Sequence, residues 1–393
     1  MNEFLSGLAA SAESTGPIES LAWKIGVDVA GPVADEVDRD SRFPREAVEE
    51  FKKNGLLSAL VPEQLGGGGA SLAEVAGAVR AVAFHCVASA LVLAMHSIEV
   101  SNLVRHGSSD ALQELLGEIA SKQLLIANAN SEVGIGGDVG RSICAVEQTD
   151  DGLRLEKQAL AISYGEYADA IVATARRSVD SEETDQVQVI CRQPNITLEQ
   201  TSSWDAIGLR GTCSNGFRLI ATVDPQMINP VPFAVIASSG GIQASTILLS
   251  AAWVGLAEAS AAKAHAFVRA AARRNIGTVP PAAGRLAELA VELQDARSML
   301  TAAATRFTML EDSEEMESPA VIASVRNVKV ATSELAVRIA TAALEICGIV
   351  GFKRDTPFSL DRHIRDAHGS VVMVSNERYL RANAEMLLAR KHL

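Results

Sequence analysis

The chain is short of positive charge. Lys and Arg total 35 against 48 Asp and Glu, a formal net charge of −13 over 393 residues. Neutralising phosphates needs a basic face, so this balance excludes a general nucleic-acid binder and opposes docking on anionic membranes. Cysteine is scarce as well. Cys86, Cys144, Cys191, Cys213 and Cys347 lie far apart with no CxxC pair. That excludes a disulfide frame and a zinc site, points to reduced thiols, and leaves no metal expected. No apolar stretch runs to about 18 residues without a charge or strong polar break, so no spanning helix is expected. The opening MNEFLSGLAASAESTGPIES has neither the basic start nor the apolar run of a secretory leader. No internal repeat is present. What remains is an acidic globular protein, expected in the cytoplasm, 48% hydrophobic and long enough for two or three domains or one large three-part fold.

Three composition regimes follow one another. Residues 1–123 read as a helical domain. SLAEVAGAVRAVAFHCVASALVLAMHSIEVSNLVRH carries apolar residues at three- and four-residue spacing, and Ser71 with Glu74 forms a capping box. FPREAVEEFKKNGLLSAL is an amphipathic helix stopped at Asn54-Gly55, and VPEQLGGGGA is a connector. Residues 124–232 read as a small β domain: LLIANAN, GLRLEKQALAIS, DAIVATARR and DQVQVICRQ are short Val/Ile/Leu-rich runs between turn residues. Residues 233–393 return to alanine-rich periodicity in long segments, which suggests a four-helix bundle, with the acidic LEDSEEMES as a solvated loop. The fold class is therefore mainly α with a middle β domain.

Six local motifs stand in this frame: SEVGIGGDV, EKQALAISYGEYAD, WDAIGLRGTCSNGFRL, RRNIGTVP, LEICGIVGF and RHIRDAHG. Their order and spacing resemble those of the acyl-CoA dehydrogenase superfamily of flavoproteins, from about Ala34 to Leu393. The resemblance implies that family's fold: an N-terminal helical domain, a small β-barrel or sheet domain and a C-terminal four-helix bundle. It implies FAD as cofactor and a homotetramer.

Several residues take on roles by this resemblance. Gly134, Gly136 and Gly137 lack Cβ, so their amides can approach an anionic or planar ligand, or simply make a tight turn. In the family this loop and the 161–163 strand face the flavin, and Ser131 and Ser163 keep two of its hydroxyls. The family's second loop serine is Gly137 here, and its tryptophan beside the flavin is Ala161, which leaves a smaller wall. Arg273 matches the arginine that reaches the flavin pyrophosphate of a neighbouring subunit; alone, it also reads as a cation favoured at a helix C-terminus. Ile276 replaces a phenylalanine. Gly348 and Gly351 fit the turn beside the adenosine half of FAD, although Glu345 there brings a carboxylate where relatives carry glutamine.

The family's catalytic carboxylate is missing. It lies nine residues after the arginine of RHIRDAHG, which is Val374 here, or in another branch ten residues before Gly255, which is Ser245, beside Thr246. Glu377 is the carboxylate that a shortened loop brings to that place; its other reading is a surface charge beside Arg378. His368 and His96 are the histidines to weigh, since flavin monooxygenases of this fold use His, Ser or Tyr instead. Asp366 reads as the ion-pair partner of Arg365.

The resemblance thus implies α,β-dehydrogenation of an acyl thioester, carried on CoA or an acyl carrier protein. Its alternative is a two-component flavin monooxygenase, fed by a flavin reductase and using FMN or FAD. A third reading is a non-catalytic, flavin-free member.

Overall fold

The computed structural model describes residues 16–388 apart from 151, 275 and 312; the N-terminal residues read above for a leader lie outside it as far as residue 15.

The N-terminal part holds α1 (Pro17–Ile25), α2 (Gly31–Arg39), α3 (Arg45–Lys53), α4 (Leu72–Ala83), α5 (Val87–His106) and α6 (Asp110–Lys122). Ser71 caps α4 through the Glu74 amide, and Glu74 returns a bond to the Ser71 amide at 2.8 Å, the reciprocal capping box expected from the sequence. Gly55 stops the chain after α3 with φ at 74°, a left-handed turn that costs glycine little. Among the described residues, two segments, Val87–His106 and Phe233–Arg274, are long and apolar enough by composition to cross a bilayer. The window in α5 is 94% buried within the fold, the place of a core helix.

Among the described residues, seven strands follow: β1 (Ile126–Ala129), β2 (Val146–Thr149), β3 (Gly152–Ala159), β4 (Ala170–Arg176), β5 (Gln186–Arg192), β6 (Ile196–Ser202) and β7 (Gly216–Val223). One sheet has the order β1-β4-β5, with β1 parallel to β4 (Ile126 opposite Ala170) and β4 antiparallel to β5. The other is antiparallel, β2-β3-β7-β6, with Ala159 opposite Phe217. β6 is too polar to announce itself, since ITLEQTS buries only its first residue.

The C-terminal part comprises α7 (Phe233–Ile236), α8 (Ile242–Arg274), α9 (Ala283–Leu310), α10 (Pro319–Cys347), α11 (Ile349–Phe352), α12 (Asp361–Val372) and α13 (Asn376–Leu388). α8 packs against α10, α9, α4 and α5. Gly255 allows this close approach: a Cβ there would stand 2.3 Å from the Arg80 carbonyl oxygen of α4. Nearby, the buried carboxylate of Glu258 accepts from Arg80 at 2.7 Å and Arg297 at 2.6 Å, tying α4, α8 and α9 together. The acidic segment before α10 is exposed over most of its described residues, as its charge suggests. Met316 is buried there, and its carbonyl takes a bond from Gln243 of α8.

The β domain is locked to α12. Asp366 is buried and accepts the Leu209 amide at 2.7 Å, while Arg365 pairs with Asp38 and, at 2.9 Å, with Asp361. The sequence neighbours Arg365 and Asp366 are therefore not each other's partners: side chains one residue apart on a helix point in different directions.

Candidate functional site

Three segments converge where β1 and β3 end and β7 begins. The Val133 amide donates to the Gln158 carbonyl, Ile162 to Asn215, and Tyr164 to Thr212, at 2.8–2.9 Å. Ser131 fastens the first segment to the second, donating to the Ala161 carbonyl at 3.1 Å and accepting its amide at 3.3 Å. Ser163 continues into a hydroxyl chain, 2.8 Å from Ser214, which is 2.8 Å from Thr212.

Beneath them lies an ion pair that holds the loop. Glu132 accepts from the Ser142 hydroxyl at 2.7 Å, the Ile143 and Cys144 amides at 3.1 and 2.8 Å, and the Lys157 ammonium at 3.1 Å. Lys157 is fully buried and also donates to the Thr174 carbonyl at 2.8 Å. Burial pushes the Glu132 pKa up, but Lys157 and the other donors outweigh it, so the carboxyl sits below its ordinary range. The loop following this pair has Gly134, Gly136 and Gly137 at φ 98°, 61° and 75°. Nothing stands within 4 Å of a Cβ placed at Gly136, so the loop is open on that side. Arg378 lies against it: its Nη2 is 3.4 Å from the Gly136 carbonyl, and a Cβ at Gly137 would come within 2.3 Å of that nitrogen.

The facing wall belongs to α8, α10 and the turn between α12 and α13. Ser245 turns its hydroxyl onto the Ile242 carbonyl at 3.0 Å, and Thr246 stands 3.5 Å from the Tyr379 hydroxyl. Val374 sits in the turn at φ 51°. Lys329 of α10 is buried and holds this turn, donating to the Val374 carbonyl at 2.7 Å and to Asn376 at 2.6 Å. Burial alone lowers its pKa to about 8.

The expected site residues fall into separate groups. Ser131, Gly136, Gly137 and Ser163 form the cradle just described. Glu377 is exposed in the first turn of α13, next to Arg378. His368 is exposed on α12, and among the described residues no hydrogen bond or ion pair ties it to the cradle. Arg273 lies exposed in the last turn of α8. At about 1.5 Å per residue it stands roughly 40 Å along that helix from Thr246. Gly348, at φ 57°, closes α10 roughly 28 Å from Lys329 by the same rise, and Gly351 packs on Cys347 in α11. Glu345 in this group is paired with Arg285, which offsets the charge that made its position unfavourable. The expected site residues therefore lie at opposite ends of the bundle.

His96 is a core residue. Its Nδ1 accepts the Ile126 amide at 3.0 Å, its Nε2 donates to the Leu57 carbonyl at 2.6 Å, and burial lowers its pKa to about 4. One turn on, Glu99 is also buried, taking a bond from Asn128 of β1 at 3.2 Å. Sequence reasoning passed over Glu132, Lys157, Arg378 and Glu99. The first two lay inside quoted motifs, and Glu99 showed as a lone carboxylate in an apolar helix.

The cradle suits a planar polar ring with an anionic tail. It offers Ser131 and Ser163 hydroxyls, glycine amides, the Arg378 guanidinium, and a buried Asn130 Oδ1 with no partner among the described residues. Comparison with known proteins points the same way. A family model described as acyl-CoA dehydrogenase, N-terminal domain, matches residues 24–123, and one described as acyl-CoA dehydrogenase, C-terminal domain, matches 235–373. The chain is 24% identical over 344 residues to the mitochondrial short-chain specific acyl-CoA dehydrogenase of Bos taurus, covering 86% of this chain and 80% of that one. It is also 24% identical to 3-sulfinopropanoyl-CoA desulfinase of Paraburkholderia xenovorans, covering 95% and 96%. Among solved structures, FMN-bound TdsC from Paenibacillus sp. A11-2, a dibenzothiophene monooxygenase, superposes with TM-score 0.85 at 18% identity, covering 96% and 98%. Butyryl-CoA dehydrogenase from Megasphaera elsdenii does so with TM-score 0.80 at 21% identity, covering 94% and 97%.

Proposed function

The chain belongs to the acyl-CoA dehydrogenase superfamily, and from that premise we propose that it is a flavin-dependent oxidoreductase that forms the α,β double bond of an acyl thioester. The observation carrying this reading is the cradle: two hydroxyl-bearing segments that follow β1 and β3 and a glycine loop, anchored by the buried Glu132–Lys157 pair and facing a bundle wall. Flavin, when bound, supplies the hydride acceptor. Ser131 and Ser163 orient its ring, and Gly136, Gly137 and Arg378 meet its phosphate side. Ala161 leaves room beside the ring for substrate.

The other half-site, Arg273 with Gly348 and Gly351, serves the flavin of a second subunit, since a span of roughly 40 Å along α8 separates it from the cradle. The functional unit is accordingly a homo-oligomer, read as a tetramer, and light scattering checks it: a stable monomer at micromolar concentration counts against it. The thioester is carried on CoA or on a carrier protein. The setting is cytoplasmic and reducing, where five buried free thiols are at home.

A second reading draws on the likeness to the dibenzothiophene monooxygenase and on the lack of a carboxylate at Val374 and Ser245: a two-component monooxygenase using FMN or FAD and a reductase. His368 is then the histidine to vary. Anaerobic mixing with a panel of acyl thioesters separates the two. Bleaching of the flavin band supports dehydrogenation. Its absence, with oxygen consumed when reduced flavin is supplied, supports the monooxygenase. Failure to retain flavin in either form returns the chain to the non-catalytic members.

A further inference from the structure

The reaction proposed above needs a carboxylate at the substrate α-carbon, and neither Val374 nor Ser245 provides one. A buried carboxylate stands on the opposite wall. α5 advances beside β1, with His96 holding the Ile126 amide and Glu99 meeting the Asn128 side chain, so that this face of α5 progresses toward Ser131. Asn102, the next residue on that face, is buried, and its Oδ1 lies 3.2 Å from where a Cβ at Gly241 would stand. Glu99 thus sits between the strand that leads into Ser131 and the start of α8, which carries Ser245 and Thr246 a few residues on. Glu99 Oε2 has no partner among the described residues, and neither has the Oδ1 of Asn130, one residue before Ser131. Two buried acceptors near the end of β1 thus lack a donor among the described residues.

We propose that Glu99, rather than the exposed Glu377, is the base of this reaction, Asn128 holding its carboxyl through Oε1 with Oε2 free for the substrate. This rests on the dehydrogenase reading. In the step, the α-carbon C–H bond breaks and its proton passes to Oε2. The electron pair of that bond becomes the Cα–Cβ π bond. The β-carbon hydrogen leaves with its pair to the oxidised flavin, which is reduced by two electrons. Burial raises the Glu99 pKa to about 7, which poises the group to take and release a proton near neutrality.

Glu99→Gln keeps size and hydrogen bonding while removing the proton acceptor. Thioester-dependent flavin bleaching should fall about 10²–10⁴-fold, the usual worth of a positioned base. Flavin retention and thioester binding by titration calorimetry should stay within a few-fold, which a merely structural residue would not allow. Solvent-deuterium exchange at the α-carbon of a bound thioester, followed by NMR, should be lost in parallel. Asn128→Ala, which frees Oε1, should shift the acid limb of the bleaching rate along the pH axis, and Glu377→Gln supplies the direct comparison. Wild-type bleaching that Glu99→Gln leaves intact, or that Glu377→Gln alone abolishes, overturns the assignment. If no acyl thioester bleaches the wild type, the dehydrogenase reading fails and the base fails with it.

Discussion

Lys157→Met tests whether the buried ion pair holds the cradle. Methionine preserves length and apolar volume but removes the ammonium from a fully buried position. Glu132 would keep the Ser142 hydroxyl and the Ile143 and Cys144 amides, while the Thr174 carbonyl would lose its lysine donor. The charge balance then reverses. Burial is the largest influence on Glu132 and raises its pKa, and the lysine leads those that lower it. An unpartnered buried charge left by such a change costs about 3–5 kcal/mol, a large share of the roughly 5–15 kcal/mol that stabilises a domain. The sign with pH follows. In the variant, the folded-state pKa of Glu132 rises above its unfolded value near 4.3, so the loss is small in acid and grows as pH climbs through that window. Urea unfolding at fixed protein concentration, at about pH 5 and about pH 7.5, should show a larger deficit at the higher pH. Glu132→Gln combined with Lys157→Met should recover part of it, because no charge is then stranded. A variant within about 1 kcal/mol of wild type at both pH values would refute the reasoning.

Gly208→Ala should weaken the clasp between the β domain and α12 by about 1–3 kcal/mol, because its Cβ would lie 2.3 Å from the Arg365 carbonyl oxygen, backbone that cannot swing away; unchanged melting and proteolysis patterns would count against it. Arg273→Ala should weaken flavin binding by about 2–4 kcal/mol, measured by equilibrium dialysis, and unaltered retention would remove Arg273 from the site. Glu99 makes a pH prediction on flavin-free protein. Its folded pKa of about 7 lies above the unfolded value, so its contribution to stability is lost as pH rises from roughly 4.5 to 7, by an amount of order 3 kcal/mol. Glu99→Gln should flatten that part of the stability profile, and an unchanged slope would show that the carboxyl titrates normally.

What the sequence determined by itself is the order of three structural regimes, and the reason is that periodicity is local. A repeat of three to four residues buries one helix face wherever the chain sits, so α4, α8, α9 and α10 were legible, as was the Ser71–Glu74 cap, whose bonds span three residues. Strands β1, β4 and β5 were legible because both their faces are largely buried, and β3 because buried and more exposed residues alternate along it, whereas β6 was not, because pairing to β7 rather than its own apolarity makes it a strand. The hydroxyls and glycines of the cradle could be named for the same reason: each lies in a contiguous motif. Only the tertiary structure decided which charges meet. Arg365 reaches Asp38 across 327 residues of chain and leaves its neighbour Asp366 to the Leu209 amide. Glu132 finds Lys157 25 residues on. Glu345, unfavourable in isolation, is offset by Arg285 on another helix. A carboxylate's chemistry depends on what surrounds it, and surroundings are assembled from distant segments. That is why Glu377, attractive by its position in the sequence, lies exposed, and why Glu99, silent within an apolar helix, is the buried carboxyl beside the strand that leads to the cradle.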